Sequence, residues 1–183
     1  MSAIALEPAV MLRGPRLDDA ETLFSLVDAS RATLRQWLPW VDGTVGVDDS
    51  RRFLAGVVDG ARDGSACATW LIEVDGGMAG CIDIHGISRL NRSGYLGYWL
   101  ADAHVGKGVM RRAVAQALDI GFGELELNRL CIDAAVDNVR SCRVAERLGF
   151  RREGVLREYL RLHGRYHDAC QYSMLAREWT PRR

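Results

Sequence analysis

Lysine is almost absent from this 183-residue chain: of its 24 basic residues, only Lys107 is not an arginine. Net charge is absent too, because 24 Asp and Glu balance them, and a basic surface of the kind that grips nucleic acid is not expected. No apolar run approaches the roughly 18 residues of a membrane-crossing helix, so no membrane partner is expected. No basic stretch followed by an apolar core opens the chain, which reads as a cytoplasmic protein without a secretory signal. The five cysteines are odd in number, widely spaced and never in a C-x-x-C pair, so neither a zinc site nor a disulfide framework is expected, and no metal is assigned. Most of them sit in apolar runs, where a thiol acts as a small core residue. There are only four prolines, and no repeat, low-complexity tract or linker is visible. One domain over 1–183, with a core of about 10–176, is the expectation.

What is present is ordinary for a globular fold: 48% apolar and 26% charged residues. A chain of this size can bury about 70% of its surface without a staple. The charge is unevenly placed. Residues 1–90 carry 8 Arg against 13 acids, a balance of −5; residues 91–183 carry 15 Arg and Lys107 against 11 acids, a balance of +5. Such a division suits an anion held by the back half and a cation met by the front, or it is chance fluctuation.

Patterning predicts a strand at Val10–Arg13 after a loose end at residues 1–8. Helical spacing runs from Leu17 to Leu38, broken near Ser30 and stopped by Pro39, and a third helix is expected over Ser50–Ala61. Strands are expected at Ala66–Val74, Met78–Ile87 and Ser93–Leu100, the first two joined at Gly76-Gly77. An amphipathic helix follows over Val109–Phe122, then a strand at Leu130–Val136. A helix over Asn138–Leu148, capped by Asp137 and ended by Gly149, leads to strands at Phe150–Leu162 and Tyr166–Leu175. The fold class is α/β or α+β with a mixed sheet.

The most informative segment is the loop Gly106-Lys107-Gly108 between a strand and the long helix. Glycines there let the backbone approach a ligand, and helix N-terminal N–H groups suit a pyrophosphate. Lys107, Arg111 and Arg112 add positive charge. A Walker loop is excluded because Gly108 follows the lysine, and the dinucleotide fingerprint because Arg111 stands where its third small residue belongs. A glycine-rich helix start without a ligand is the competing reading of this pattern alone.

Taken in order, several segments together resemble the GNAT superfamily of N-acetyltransferases. They are Tyr98-Trp99-Leu100, Gly106 to Met110, Leu127-Asn128-Arg129, Asp137 to Ser141, Glu146 to Phe150 and Glu153-Gly154. Leu34 to Trp40 and Gly164 to Asp168 resemble its ribosomal-protein-serine/alanine branch. The resemblance implies a largely antiparallel sheet of about seven strands with helices on both faces. It also implies acetyl-CoA as the donor, bound by Trp99, Leu100, Val105, Gly106, Lys107, Gly108, Val109, Met110, Arg111, Asn138 and Ser141. Val105 departs from the family's usual Gln or Arg, and Met110 from its usual Gly or Ala.

In the family, acetyl passes to a primary amine by direct attack in a ternary complex. The departing thiolate needs a proton or a hydrogen bond, and many members use a tyrosine. Asn138 and Ser141 are similar to the branch's Asn-x-x-Ser, which implies Ser141 in that role. The relatives' carboxylate base falls on Leu160 here, and Glu158, two residues earlier and expected on the same strand face, is the candidate. Glu153 reads as structural. His167 and Asp168 bind substrate or satisfy a hairpin. Trp37, Trp40 and Tyr98 are expected at the acceptor site, the tryptophans otherwise being core beside a helix stop, and Asp42, Asp48 and Asp49 would favour a cationic amine. The resemblance implies a homodimer and a protein N-terminus, such as that of a ribosomal protein, as acceptor. A small amine (polyamine, amino sugar or antibiotic) and a non-catalytic acetyl-CoA-binding module are the alternatives.

Overall fold

A computed structural model describes residues 9–63 and 67–181, arranged around one seven-stranded sheet. The expectation for residues 1–8, and the start of a strand at Ala66, lie outside the described residues. The strands are β1 (Val10–Arg13), β2 (Ala68–Val74), β3 (Gly77–Ser88), β4 (Ser93–Leu100), β5 (Arg129–Ala135), β6 (Arg151–Leu162) and β7 (Arg165–Leu175). Their order is β1-β2-β3-β4-β5-β7-β6, and every neighbouring pair is antiparallel except β4 with β5. The helices are α1 (Ala20–Ala29), α2 (Arg31–Leu34), α3 (Val47–Asp63), α4 (Val109–Asp119) and α5 (Val139–Leu148).

Several boundaries differ from the expectation. The second helix is a single turn that ends before Trp37, and Pro39 instead opens a 3-10 segment, Pro39–Gly43. α4 passes at Ile120 into a π-helical turn; there a Cβ on Gly121 would lie 2.6 Å from the Leu130 side chain, so any larger residue would displace Leu130 on β5. α5 is capped by Asn138 rather than Asp137: Asn138 Oδ1 accepts the Ser141 N–H at 3.3 Å. Gly149 closes that helix at φ +88, as the sequence predicts.

Adjacent residues of one strand enter different cores, which is the alternation of a sheet covered on both sides. Ile72, Ile82, Leu130 and Ile132 pack with α4 and α5, through Val114, Ala117 and Ala145. Leu71 and Cys81 face the other way, onto Ala20 and Leu23 of α1 and Leu54 of α3. Cys81, Cys131, Cys142 and Cys170 are buried and free, as small core residues, while Cys67 is exposed. Among the described residues, no helix is long and apolar enough to cross a membrane.

One charged cluster ties the first turn to the sheet. Arg13 Nη2 lies 2.7 Å from Asp19 Oδ1, and its Nε lies 2.6 Å from Glu73 Oε1. The Arg16 N–H donates to Asp19 Oδ2 at 2.7 Å. The hydrogen bond from Arg13 outweighs burial and holds the Asp19 carboxyl below its usual 3.8. A carboxyl whose folded pKa is depressed stabilises the fold above the unfolded pKa. That contribution is lost as pH falls through 3.8 toward the folded value. Asp19→Asn should cost about 2 kcal/mol at neutral pH, read as a melting-temperature drop of about 6 °C. The gap between variant and wild type should close in acid; a constant gap would assign the effect to packing instead.

Candidate active site

The parallel pairing of β4 and β5 stops after Tyr95 and Cys131, although both strands continue. They fork, and a cleft of about 380 Å³ extends from the fork. Its walls are the outer half of β4, the loop before α4, the first turns of α4 and α5, and the α2 segment. The loop forms one cradle. Gly106 and Gly108 have φ values of +81 and +71, and a Cβ on either would meet nothing within 4 Å. Gly108 is the N-cap of α4, so the first N–H groups of that helix have no carbonyl of their own turn to bond. Two hydrogen bonds fasten the α2 segment to this loop: Asp102 N–H to Ser30 Oγ at 3.0 Å, and Thr33 Oγ1 to Asp102 Oδ2 at 3.0 Å.

Opposite the cradle, the Asn138 cap sets Ser141 in the first turn of α5. The Tyr98 hydroxyl of β4 lies 2.9 Å from Ser141 Oγ. Burial outweighs the Ser141 hydrogen bond and pushes the phenol up to about 12, so it stays protonated at neutral pH. Arg140, Arg143 and Arg147 also line the cleft from α5. Sequence reasoning missed these three, although their spacing of three and four residues places them on one helical face.

Of the residues expected at the site, Trp37, Tyr98, Trp99, Leu100, Val105, Gly106, Gly108, Val109, Met110, Arg111, Asn138 and Ser141 line this cleft. Others lie elsewhere. The Lys107 ammonium donates to the Ala103 carbonyl at 2.8 Å and fastens the loop to the preceding turn. Trp40 is 43% exposed and does not line the cleft, its ring centroid lying 6.2 Å from that of Trp99. His167 pairs with Leu160 in the β6–β7 hairpin, outside the cleft. Glu158 is exposed at φ +51, within a bulge between Leu156 and Leu160 that upsets the alternation expected to align it with Leu160. Asp168 Oδ1 accepts the Glu158 N–H at 2.8 Å and so fastens that bulge. Asp42, Asp48 and Asp49 are already engaged, with Arg35, Arg51 and Arg52 respectively. They are therefore not the free carboxylates expected for a cationic acceptor.

Residues 9–151 match the acetyltransferase (GNAT) domain family. This chain is a GNAT acetyltransferase. Over 164 residues it is 37% identical to the putative ribosomal N-acetyltransferase YdaF of Bacillus subtilis strain 168, covering 88% of each chain. It is 30% identical over 173 residues to the ribosomal-protein-serine acetyltransferase of Escherichia coli K12, covering 94% of this chain and 96% of that one. Among solved structures it resembles RimL, the ribosomal L7/L12 alpha-N-protein acetyltransferase in complex with coenzyme A. There the TM-score is 0.86 at 28% identity, over 91% of this chain and 93% of that one.

The donor of this GNAT enzyme is acetyl-CoA, and its cleft fits that molecule. The open cradle at Gly106 and Gly108 leaves backbone N–H groups accessible to a pyrophosphate, and the arginines of α5 supply positive charge. When bound, the donor supplies an activated acetyl group as a thioester. A donor held in this cleft would lie beside the paired Tyr98 and Ser141 hydroxyls.

Proposed function

We propose that this enzyme acetylates the α-amino group of a protein N-terminus, with a ribosomal protein as the acceptor class. The observation that carries the chemistry is the Tyr98–Ser141 hydroxyl pair in the cleft that begins at the β4/β5 fork. The relatives named for ribosomal-protein acetylation, which span nearly the whole chain, support the acceptor class. Val105 to Met110 grip the pyrophosphate by their backbone, while Trp99 and Leu100 offer exposed strand edge to the pantetheine arm. Tyr98 is protonated, and with the phenol as donor in the pair the Ser141 hydroxyl proton is free to face the departing sulfur. Trp37 walls the acceptor side. The same reading places the enzyme in the cytoplasm as a homodimer.

The test is release of free CoA from acetyl-CoA with a panel of peptides beginning in Ser or Ala, alongside spermidine and amino sugars. Turnover with the peptides, and an acetyl mass increment at their N-termini, is expected. Turnover with only the small amines would replace the acceptor class, and binding without any turnover would leave an acetyl-CoA-binding module. Sedimentation of the same preparation at micromolar concentration should show a dimer; a monomer would remove that part.

A further inference from the structure

A carboxylate stands at the fork on the sheet face opposite α4 and α5. The last paired residues of β4 and β5 are Tyr95 and Cys131. Two residues beyond each stand Gly97 and Asp133, and by alternation both belong to the face of Trp99. Gly97 presents no side chain across the gap. The Asp83 carboxylate of β3 leans over it, since a Cβ there would lie 2.9 Å from Asp83 Oδ2. Asp83 Oδ1 is held by His85 Nδ1 at 2.6 Å, and the His85 ring stacks on Tyr95 at 6.0 Å.

Asp133 itself is partly buried, directly opposite Gln171 of β7 in the strand register. Its Oδ1 has no hydrogen-bond partner among the described residues and is shielded from solvent. A buried carboxylate oxygen without a donor is costly and in native proteins has a reason. An ammonium group brings both the donor and the opposite charge.

We propose that Asp133 is the general base, taking the proton of the acceptor's ammonium group at the fork. The inference rests on the acetyl-transfer reading above. One ammonium proton passes to the carboxylate, and the freed lone pair forms the C–N bond at the thioester carbonyl carbon. The C–S bond breaks with its electron pair on sulfur. The second proton lost by nitrogen balances the one that sulfur takes up, and Asp133 returns its own proton to water. Desolvation raises the Asp133 carboxyl above the usual range, which brings its basicity closer to that of an amine. His85 from β3, Arg129 from its own strand, and the polar side chains of Gln171 and Tyr159 oppose that rise. Glu153 of β6 is paired with Arg129.

The experiment compares wild type, Asp133→Asn and His85→Gln with a Ser-initiated peptide, the other peptides and spermidine. Acetyl-CoA affinity is measured by calorimetry on the same preparations. Asp133→Asn should lower kcat/KM about 10²-fold at neutral pH, the scale of a positioned base, with acetyl-CoA affinity unchanged. The deficit should shrink as alkaline pH deprotonates the amine unaided. A carboxyl ¹³C NMR titration of the free enzyme should show one aspartate, absent from Asp133→Asn, with a raised midpoint. Asp133→Asn with wild-type kcat/KM overturns the inference, as does a deficit that persists unchanged at alkaline pH. Loss of the alkaline-rising limb in His85→Gln alone would assign the base to His85 instead. If wild type binds acetyl-CoA but acetylates no amine in the panel, the acetyl-transfer reading fails, and the base assignment with it.

Discussion

Ser141→Ala is expected to lower kcat by about 10² while acetyl-CoA affinity stays near that of wild type. The hydroxyl serves a sulfur that gains charge only as the C–S bond breaks, so its contact is strongest in the transition state. In the free enzyme the hydroxyl lies 2.9 Å from the Tyr98 phenol, and its removal leaves that phenol only the Ser141 carbonyl at 3.5 Å. Helix α5 should survive, because the Asn138 cap bonds the Ser141 backbone N–H and not its side chain. Alanine also gains a few tenths of a kcal/mol in helix propensity. Steady-state kinetics with acetyl-CoA as varied substrate, and calorimetry for its affinity, separate the outcomes. An unchanged kcat would mean that the thiolate leaves unaided; lost affinity with kcat intact would make Ser141 a binding residue. Tyr98→Phe should move kcat in the same direction by less, since Ser141 keeps its own proton.

Gly108→Val should raise the KM for acetyl-CoA at least tenfold and the acceptor KM much less. Two causes act together. At φ +71 an L-residue pays about 1–2 kcal/mol, and a β-branched one fares worse. A Cβ there meets no protein atom within 4 Å, so the added methyls project into the open cradle and not into a neighbour. The fold should therefore persist with a melting temperature lower by about 3–6 °C, while the ligand side of the loop is blocked. Gly108→Ala, with the same φ strain and less bulk, should lose less affinity. Equal rises in both KM values would place the phosphate site elsewhere.

Much of this enzyme is legible without coordinates, because the deciding interactions are local. The Gly106-Lys107-Gly108 loop, the α4 start at Val109 and the Asn138-to-Gly149 frame of α5 each depend on neighbours within a turn. Strand boundaries agree to within about two residues for the same reason: alternation and turn residues are short-range signals. The departures are local as well. An acidic front half does not become an acidic acceptor wall, because Arg51 and Arg52 sit three residues from Asp48 and Asp49 and neutralise them.

The composition of the cleft is a different matter. Tyr98 and Ser141 are 43 positions apart and meet only because β4 and α5 converge beside the fork. The family resemblance puts the base at Leu160 and strict alternation then moves it to Glu158, yet a bulge before Leu160 shifts the edge strand and leaves Glu158 exposed at φ +51. Asp133 carries no motif at all; only the divergence of β4 from β5, and the missing side chain of Gly97, bring it to the gap. The sequence by itself determined the strands, the glycine-rich start of α4 and the Gly149 end of α5, since each is decided by residues a few positions apart. Only the tertiary structure decided which hydroxyls and carboxylates share the fork, because strand pairing and its interruption depend on contacts among segments distant along the chain.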